Sequence, residues 1–335
     1  MKRGIEIGIV ALLASVPLWL GDLYLIDILV RTGIFVIAAM SLNLLLGYTG
    51  QLSLGHVAFF GLGAYVTSLL SLGFEVHLAP KFLISVSPKP VWLSMLAGIF
   101  IAGLFGWLIG RIAFKVRGAY FVIVTVSFAE VVRLVALNWV ELTQGPMALN
   151  NIPPLTLWFP GAGEVRIIGK PKNYWVMLAF AFVAWIIIRR LVQSRAGRAM
   201  IALRENEPLA TSVGVDVTRY LVLATVVSAA IAGAAGTLYA HYIRIVDPDI
   251  FLFIYTVTMV IMVVTGGKGT LTGPLVGGVI FGLMPEVLRA FRTPPELQWI
   301  IYGVLMIAVV YLLPEGVVPA VTRWWRGLGS NGAKT

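Results

Sequence analysis

Glu130 and Arg133 stand three residues apart in an otherwise apolar run, a spacing that puts both side chains on one helical face. A carboxylate and a guanidinium so placed can neutralise each other inside a membrane. They can also line the route of a zwitterionic solute and complement its ammonium and carboxylate. Glu286 and Arg289 repeat the spacing, and Asp27 and Arg31 set the same charges four apart at the outer end of a span. Residue types suited to covalent or metal chemistry are scarce. There is no cysteine, and His56, His77 and His241 are too scattered in sequence for a metal set. H-E-x-x-H and G-x-S-x-G are absent, as is an aspartate pair suited to intramembrane proteolysis. The residues offer a path and no reaction centre, so neither enzymatic activity nor a cofactor is expected.

Two breaks in the apolar pattern resemble each other. One runs from Gly47 through Gly50, Gln51 and Ser53 to Gly55, and the other from Gly266 through Gly269 and Thr270 to Gly273. Each sets glycines three apart, then a polar residue, a leucine and a hydroxyl residue. Glycine accepts backbone conformations that other residues resist. Non-helical backbone near a membrane is tolerated where protein or a water cavity satisfies it. Glycine-interrupted segments at matching positions point to a substrate path, and the orientation derived below makes these units parallel. Lys268 does not make the second break a phosphate loop, because Gly269 follows it and the upstream glycine of G-x-x-x-x-G-K-[ST] is missing. If ATP drives this chain, another polypeptide binds it.

The elements that hold these residues follow from composition. Charged residues make up 12% of the chain and hydrophobic ones 59%, with a mean hydropathy of +0.93. A soluble domain carries about twice that charge. The expected fold is an all-α polytopic membrane protein, a single membrane domain over 1–335. About ten spans are read, at 5–20, 25–46, 56–72, 91–112, 119–139, 173–192, 219–241, 251–266, 274–291 and 297–313. The first follows Met1-Lys2-Arg3 without a clear A-x-A cleavage site, which favours a retained helix. The net charge of +10 would suggest nucleic acid in a soluble protein; here it orients helices, and no nucleic acid partner is expected. Placing the N-terminus in the cytoplasm puts nearly twice as many Lys and Arg residues inside as outside, so both termini are expected inside. The outside loops are then 73–90 and 140–172, and the cytoplasmic tail is 314–335. Trp92, Trp139, Trp158 and Trp175 fall near water interfaces, and Arg323-Trp324-Trp325-Arg326 reads as an interfacial anchor.

The one long charged segment between apolar spans is 194–219, on the inside. Residues 198–213 can form a short helix with Met200, Leu203 and Leu209 available to insert in a groove and Arg204, Glu205 and Glu207 able to pair at its rim. Pro208 would kink it or begin a second turn, and Gly214 would end it in a left-handed conformation.

The runs GYTGQLSLGHVAFFGLGAY, RGAYFVIVTVSFAEVVRLVALNW, RENEPLATSVGVDVTRY, SAAIAGAAGTLYAHY and GGKGTLTGPLVGGVIFGL resemble the LivM-type permease subunits of branched-chain amino-acid ABC importers. The resemblance covers the chain from about residue 40 to residue 315. It implies a bacterial or archaeal plasma-membrane protein that works with a second permease, two cytoplasmic ATPases and an extracytoplasmic solute-binding protein. Glu207, Ala210 and Gly214 match a relaxed form of the E-x-x-A-x-x-x-G pattern of importer coupling loops, which implies that 194–219 receives the ATPase. The run TQGPMALNNIP also resembles the family, which more often has glycine where Gln144 and Ala148 stand. Related permeases carry urea, short amides or aromatic acids; leucine, isoleucine and valine are the first expectation. The rival reading is a self-contained secondary transporter or channel with Glu130 or Glu286 titrating for proton coupling.

Overall fold

The structure is a computed structural model that describes residues 13, 15–79, 82–114, 119–159 and 163–323. Most of the expected first span, the basic head and the Trp324-Trp325 anchor lie outside the described residues, as does the side chain of Glu286.

A helix lies on every expected span from the second to the tenth. These are α1 (Leu23–Asn43), α2 (Val57–Leu72), α3 (Val91–Ala113), α4 (Ala119–Asn138) and α5 (Lys170–Gln193). Two short helices, α6 (Arg195–Glu205) and α7 (Glu207–Ser212), precede α8 (Val217–Ile243), α9 (Phe253–Gly266), α10 (Gly273–Ala290) and α11 (Pro295–Leu312). Among the described residues, α1 with its continuation to Thr49, α3, α4, α5 and α8 are long and apolar enough to cross a bilayer; α2 and α9 are shorter apolar helices.

Helices α1 and α8 form the centre. Apart from Asp27 and Arg31 in the first turns of α1, both are apolar round most of their circumference, as a buried helix is, and 67% of the most apolar stretch of each is buried. Helix α1 packs on α5, α8, α9 and α10, while α8 packs on α2 and α3. Glycines make the closest approaches. A Cβ on Gly63 of α2 would sit 2.3 Å from the Gly233 carbonyl oxygen of α8, and one on Gly236 would sit 1.9 Å from that of Phe60. Gly277 lies against Met262, Gly278 against Val36 and Gly61 against the Phe251 ring, so glycines inside the spans serve packing. Helices α4 and α5 are peripheral, with 22% of each span buried, and turn Ile123, Val131, Val135, Phe182 and Val183 outward.

The expected loops 73–90 and 140–172 hold two antiparallel hairpins, β1 (Phe74–Ala79) with β2 (Phe82–Val86) and β3 (Thr156–Phe159) with β4 (Gly163–Arg166). They gather at one end of the bundle. The His77 backbone N–H and its Nδ1 both meet Glu141 Oε1, at 2.8 and 2.7 Å, and these hydrogen bonds hold the Glu141 carboxyl below the usual carboxylate range. Leu149 forms a β-bridge with Val246, Arg244 Nε donates to the Ile152 carbonyl at 2.9 Å, and His241 sits between the Thr67 hydroxyl and the Pro153 carbonyl.

Gln144 and Ala148 both take positive φ, 58° and 61°. With ψ at 154°, Ala148 occupies a region that is essentially reserved for glycine and costs about 1–3 kcal/mol otherwise. Ala148→Gly is therefore expected to stabilise the chain by about 1 kcal/mol, within a range of about 0–2.5 kcal/mol, once the added unfolded-state entropy of glycine, about 0.4–1 kcal/mol, is subtracted. A thermal melt of the purified protein checks this; an unchanged or lower midpoint would show that the loop carries no such strain.

Candidate functional site

At the end of the bundle opposite the hairpins, α1 does not simply stop. After Asn43 it widens into a π-helical turn, Leu44–Thr49, capped by Gly50 at φ 74°. Such turns are rare and concentrate at functional positions. Helix α9 ends at Gly266, and the chain reverses through Gly267 and Gly269 into α10. Thr270 closes that reversal: its Oγ1 donates to the Gly267 carbonyl at 2.7 Å and accepts from the Gly273 N–H at 3.0 Å. Aligned by their shared pattern, Gly50 and Gly269 have nearly the same left-handed φ, 74° and 75°. The sequence echo is an echo in the backbone.

The two breaks also touch. Asn43, 2% exposed, donates from Nδ2 to the Thr270 carbonyl at 2.8 Å and accepts at Oδ1 from the Gly269 N–H at 2.9 Å. One amide thus satisfies both polar groups of a backbone that cannot satisfy itself. Gly47 permits the approach, because a Cβ there would lie 2.1 Å from Asn43 Oδ1 and 2.3 Å from Gly269 N. Arg204 of α6 then reaches into the junction. Its Nη1 donates to the Gly47 carbonyl at 2.6 Å, its Nη2 pairs with the Glu205 carboxylate, and its stem covers Gly50.

The segment 194–219 is two helices, each with its own cap. Ser194 Oγ accepts from the Gly197 N–H at 3.3 Å at the start of α6, and Asn206 Oδ1 accepts from the Leu209 N–H at 3.0 Å at the start of α7. Pro208 begins the second helix, near its N-terminus where proline is tolerated. Gly214, at φ 87°, ends α7: its N–H bonds to the Thr211 carbonyl and the Val215 N–H to that of Ala210, the two bonds of a Schellman cap. Ala210, 4% exposed, packs with Leu203 and Leu221 and so fastens α7 to α6 and α8. One expectation is corrected here. Met200 and Leu203, at 0% and 6% exposure, are spent in the chain's own core and cannot insert into a partner's groove. The exposed apolar groups of this end are Leu209 (63%) and Val213 (74%), with Glu207 beside a shallow groove lined by Pro208, Thr211 and Ser212.

Other candidates lie elsewhere. Glu130 and Arg133 do pair, with Arg133 Nε bonding both carboxylate oxygens and Nη2 reaching Oε1 at 2.7 Å. The pair lies on peripheral α4 with Glu130 half exposed, away from the two glycine breaks that were expected to share a solute route with it. Gln51 is half-buried. Ser53 is buried at the start of the segment leading to α2, with no hydrogen-bond partner for its Oγ among the described residues. The most important residue not expected from sequence is Asn43. Its signal was a lone amide ending an apolar span four residues before a glycine. Among the described residues no group of His, Asp and Glu could hold a metal ion.

The family described as the permease component of branched-chain amino acid transport systems matches residues 24–310. The chain is 32% identical over 332 residues to the high-affinity branched-chain amino acid transport system permease protein LivM of Salmonella typhimurium, covering 92% of this chain and 73% of that protein. The LivM of Escherichia coli is 30% identical with the same coverage, and the LivH permease of Salmonella typhimurium is 27% identical over 85% of this chain and 91% of its own length. No solved structure matches. A helical bundle broken by paired glycine segments, matched by the family over nearly its whole described length, belongs to the branched-chain amino acid transport system permease family.

Proposed function

We propose that this chain forms one membrane-spanning half of an ABC importer for branched-chain amino acids, moved by ATP hydrolysed on separate subunits that dock at α6 and α7. The observation that carries the reading is the Arg204 bridge from the docking segment to the Gly47 carbonyl, and through Asn43 to the second break. A push on α7 reaches both breaks through one packed unit of Ala210, Leu203 and Arg204. Exposed Leu209 and Val213 supply the apolar contact for a nucleotide-binding partner, and Glu207 the charged one. The concentration of arginines at this end, from Arg111 and Arg189 to Arg219, supports placing it in the cytoplasm with both termini inside. The hairpin end would then receive the solute-binding protein, and the outward apolar faces of α4 and α5 would meet lipid or the second permease. The protein would sit in the bacterial or archaeal plasma membrane.

The test is reconstitution in proteoliposomes with the partner permease, the ATPases and the binding protein. ATP-dependent leucine uptake is expected, and Leu209→Asp with Val213→Asp should lower it at least about tenfold while the chain still inserts and melts as wild type. Uptake by this chain alone under a proton gradient would overturn the reading.

A further inference from the structure

One face of α1 opens onto a cavity of about 490 Å³, a size in the range of small-molecule sites. Tyr24, Asp27, Ile28, Arg31, Thr32 and Phe35 follow the helical repeat and form one wall. Helix α9 supplies Tyr255, Thr258 and Met262 at the same repeat, and α10 supplies Phe281, Gly282 and Arg289. Gly282 brings α10 close, since a Cβ there would lie 2.2 Å from the Thr32 methyl.

The walls are divided by chemistry. Charge gathers at the end toward the start of α1, and the floor is aromatic, with one methionine, Met262. Asp27 is already well supplied with cations and donors: Arg31 Nε bonds one oxygen at 2.9 Å, while the Tyr242 hydroxyl and Lys170 Nζ, the latter at 3.8 Å, approach the other. The terminal nitrogens of Arg31 have no partner among the described residues, and its side chain is 54% exposed. Arg289 adds a second guanidinium, with its Nη1 3.5 Å from the Tyr24 hydroxyl. A guanidinium edge open to a cavity suits a carboxylate, which it can bind with two parallel bonds. A carboxylate of about four lone-pair sites, such as Asp27, retains room for an ammonium. One helical turn, about 6 Å along the axis, separates Arg31 from Phe35 at the floor. That is the reach of an amino acid from its carboxylate to the end of a branched side chain.

We infer that this cavity is a solute-binding subsite for a zwitterionic amino acid. Arg31 takes the carboxylate, Asp27 the ammonium, and Phe35, Tyr255, Met262 and Phe281 the apolar side chain. The inference rests on the transport reading above and names where this chain itself recognises the solute.

The experiment uses the complete reconstituted importer and radiolabelled leucine and alanine. Arg31→Gln is expected to lower leucine uptake at least about tenfold per assembled complex. Thr258→Phe, which fills the cavity from its wall, should lower leucine uptake more than alanine uptake and shift their ratio about tenfold, the discrimination available to a pocket that has lost space for a few methylenes. A structural role for these residues would lower both solutes alike. Should Arg31→Gln fail to assemble because Asp27 has lost its partner, the Thr258→Phe ratio decides. Wild-type leucine uptake with an unchanged ratio in Thr258→Phe overturns the cavity and leaves the importer standing. Absence of ATP-dependent leucine uptake in the wild type overturns the importer itself.

Discussion

Asn43→Leu is expected to separate the two glycine breaks and to abolish transport. Leucine has nearly the shape of asparagine, so the change removes two hydrogen bonds without opening a hole. The Gly269 N–H and the Thr270 carbonyl then lose their partner inside the protein. An unmatched buried polar group costs about 1–3 kcal/mol, and both groups here keep partial access to water, so the sum is about 2–4 kcal/mol. A domain is stable by about 5–15 kcal/mol, so the chain should fold with its junction loosened. The native chain contains no cysteine, so a single Lys268→Cys reports on the second break without background. Maleimide labelling of that thiol should quicken in the Asn43→Leu background and uptake should fall at least about tenfold. Asn43→Asp keeps an acceptor for Gly269 and loses the donor to Thr270, so it should fall between the two. Labelling and uptake both within twofold of the parent would remove Asn43 from the mechanism.

The extent to which this junction was legible depended on the range of the interaction. The glycine echo could be seen because spacing is local, and Gly50 and Gly269 do share a conformation. That the breaks touch could not be seen, because Asn43 and Thr270 are 227 positions apart and a single amide has no periodicity. Gly214 and Pro208 acted as their chemistry dictates, since caps are set by neighbouring residues. Met200 and Leu203 were misread because an apolar residue on a short helix faces a partner or its own bundle with the same letters. The Glu130–Arg133 pair was legible at three residues' spacing, yet the rest of α4 is mostly apolar on both its exposed and its buried sides, and the pattern does not mark the side that meets the bundle. Asp27 and Arg31 were visible as a pair; their cavity was not, because its other walls come from residues 255–289. The hairpins were hidden by proline and glycine, which punctuate strands as well as loops.

Arg204→Ala is the change expected to divide hydrolysis from transport. The guanidinium makes a charge-assisted bond to the Gly47 carbonyl and pairs with Glu205, and its side chain is one-third exposed. Such a bond is worth about 1.5–3 kcal/mol, toward the lower end here because water reaches it. Its removal leaves α6 packed through Met200 and α7 through Ala210, so the proposed docking surface keeps its shape. What is lost is the direct tie between that surface and the π-helical turn of α1. ATP hydrolysis by the assembled complex should therefore continue while leucine uptake falls at least about tenfold, and the ratio of the two rates is the measurement. Arg204→Lys supplies a point charge that can reach the carbonyl but lacks the fork that also holds Glu205, so it should recover part of the uptake. Loss of hydrolysis together with uptake would make Arg204 part of the docking surface instead. Unchanged coupling in Arg204→Ala would mean that force travels from α7 to the breaks through packing alone, by Ala210 and Leu221 into α8.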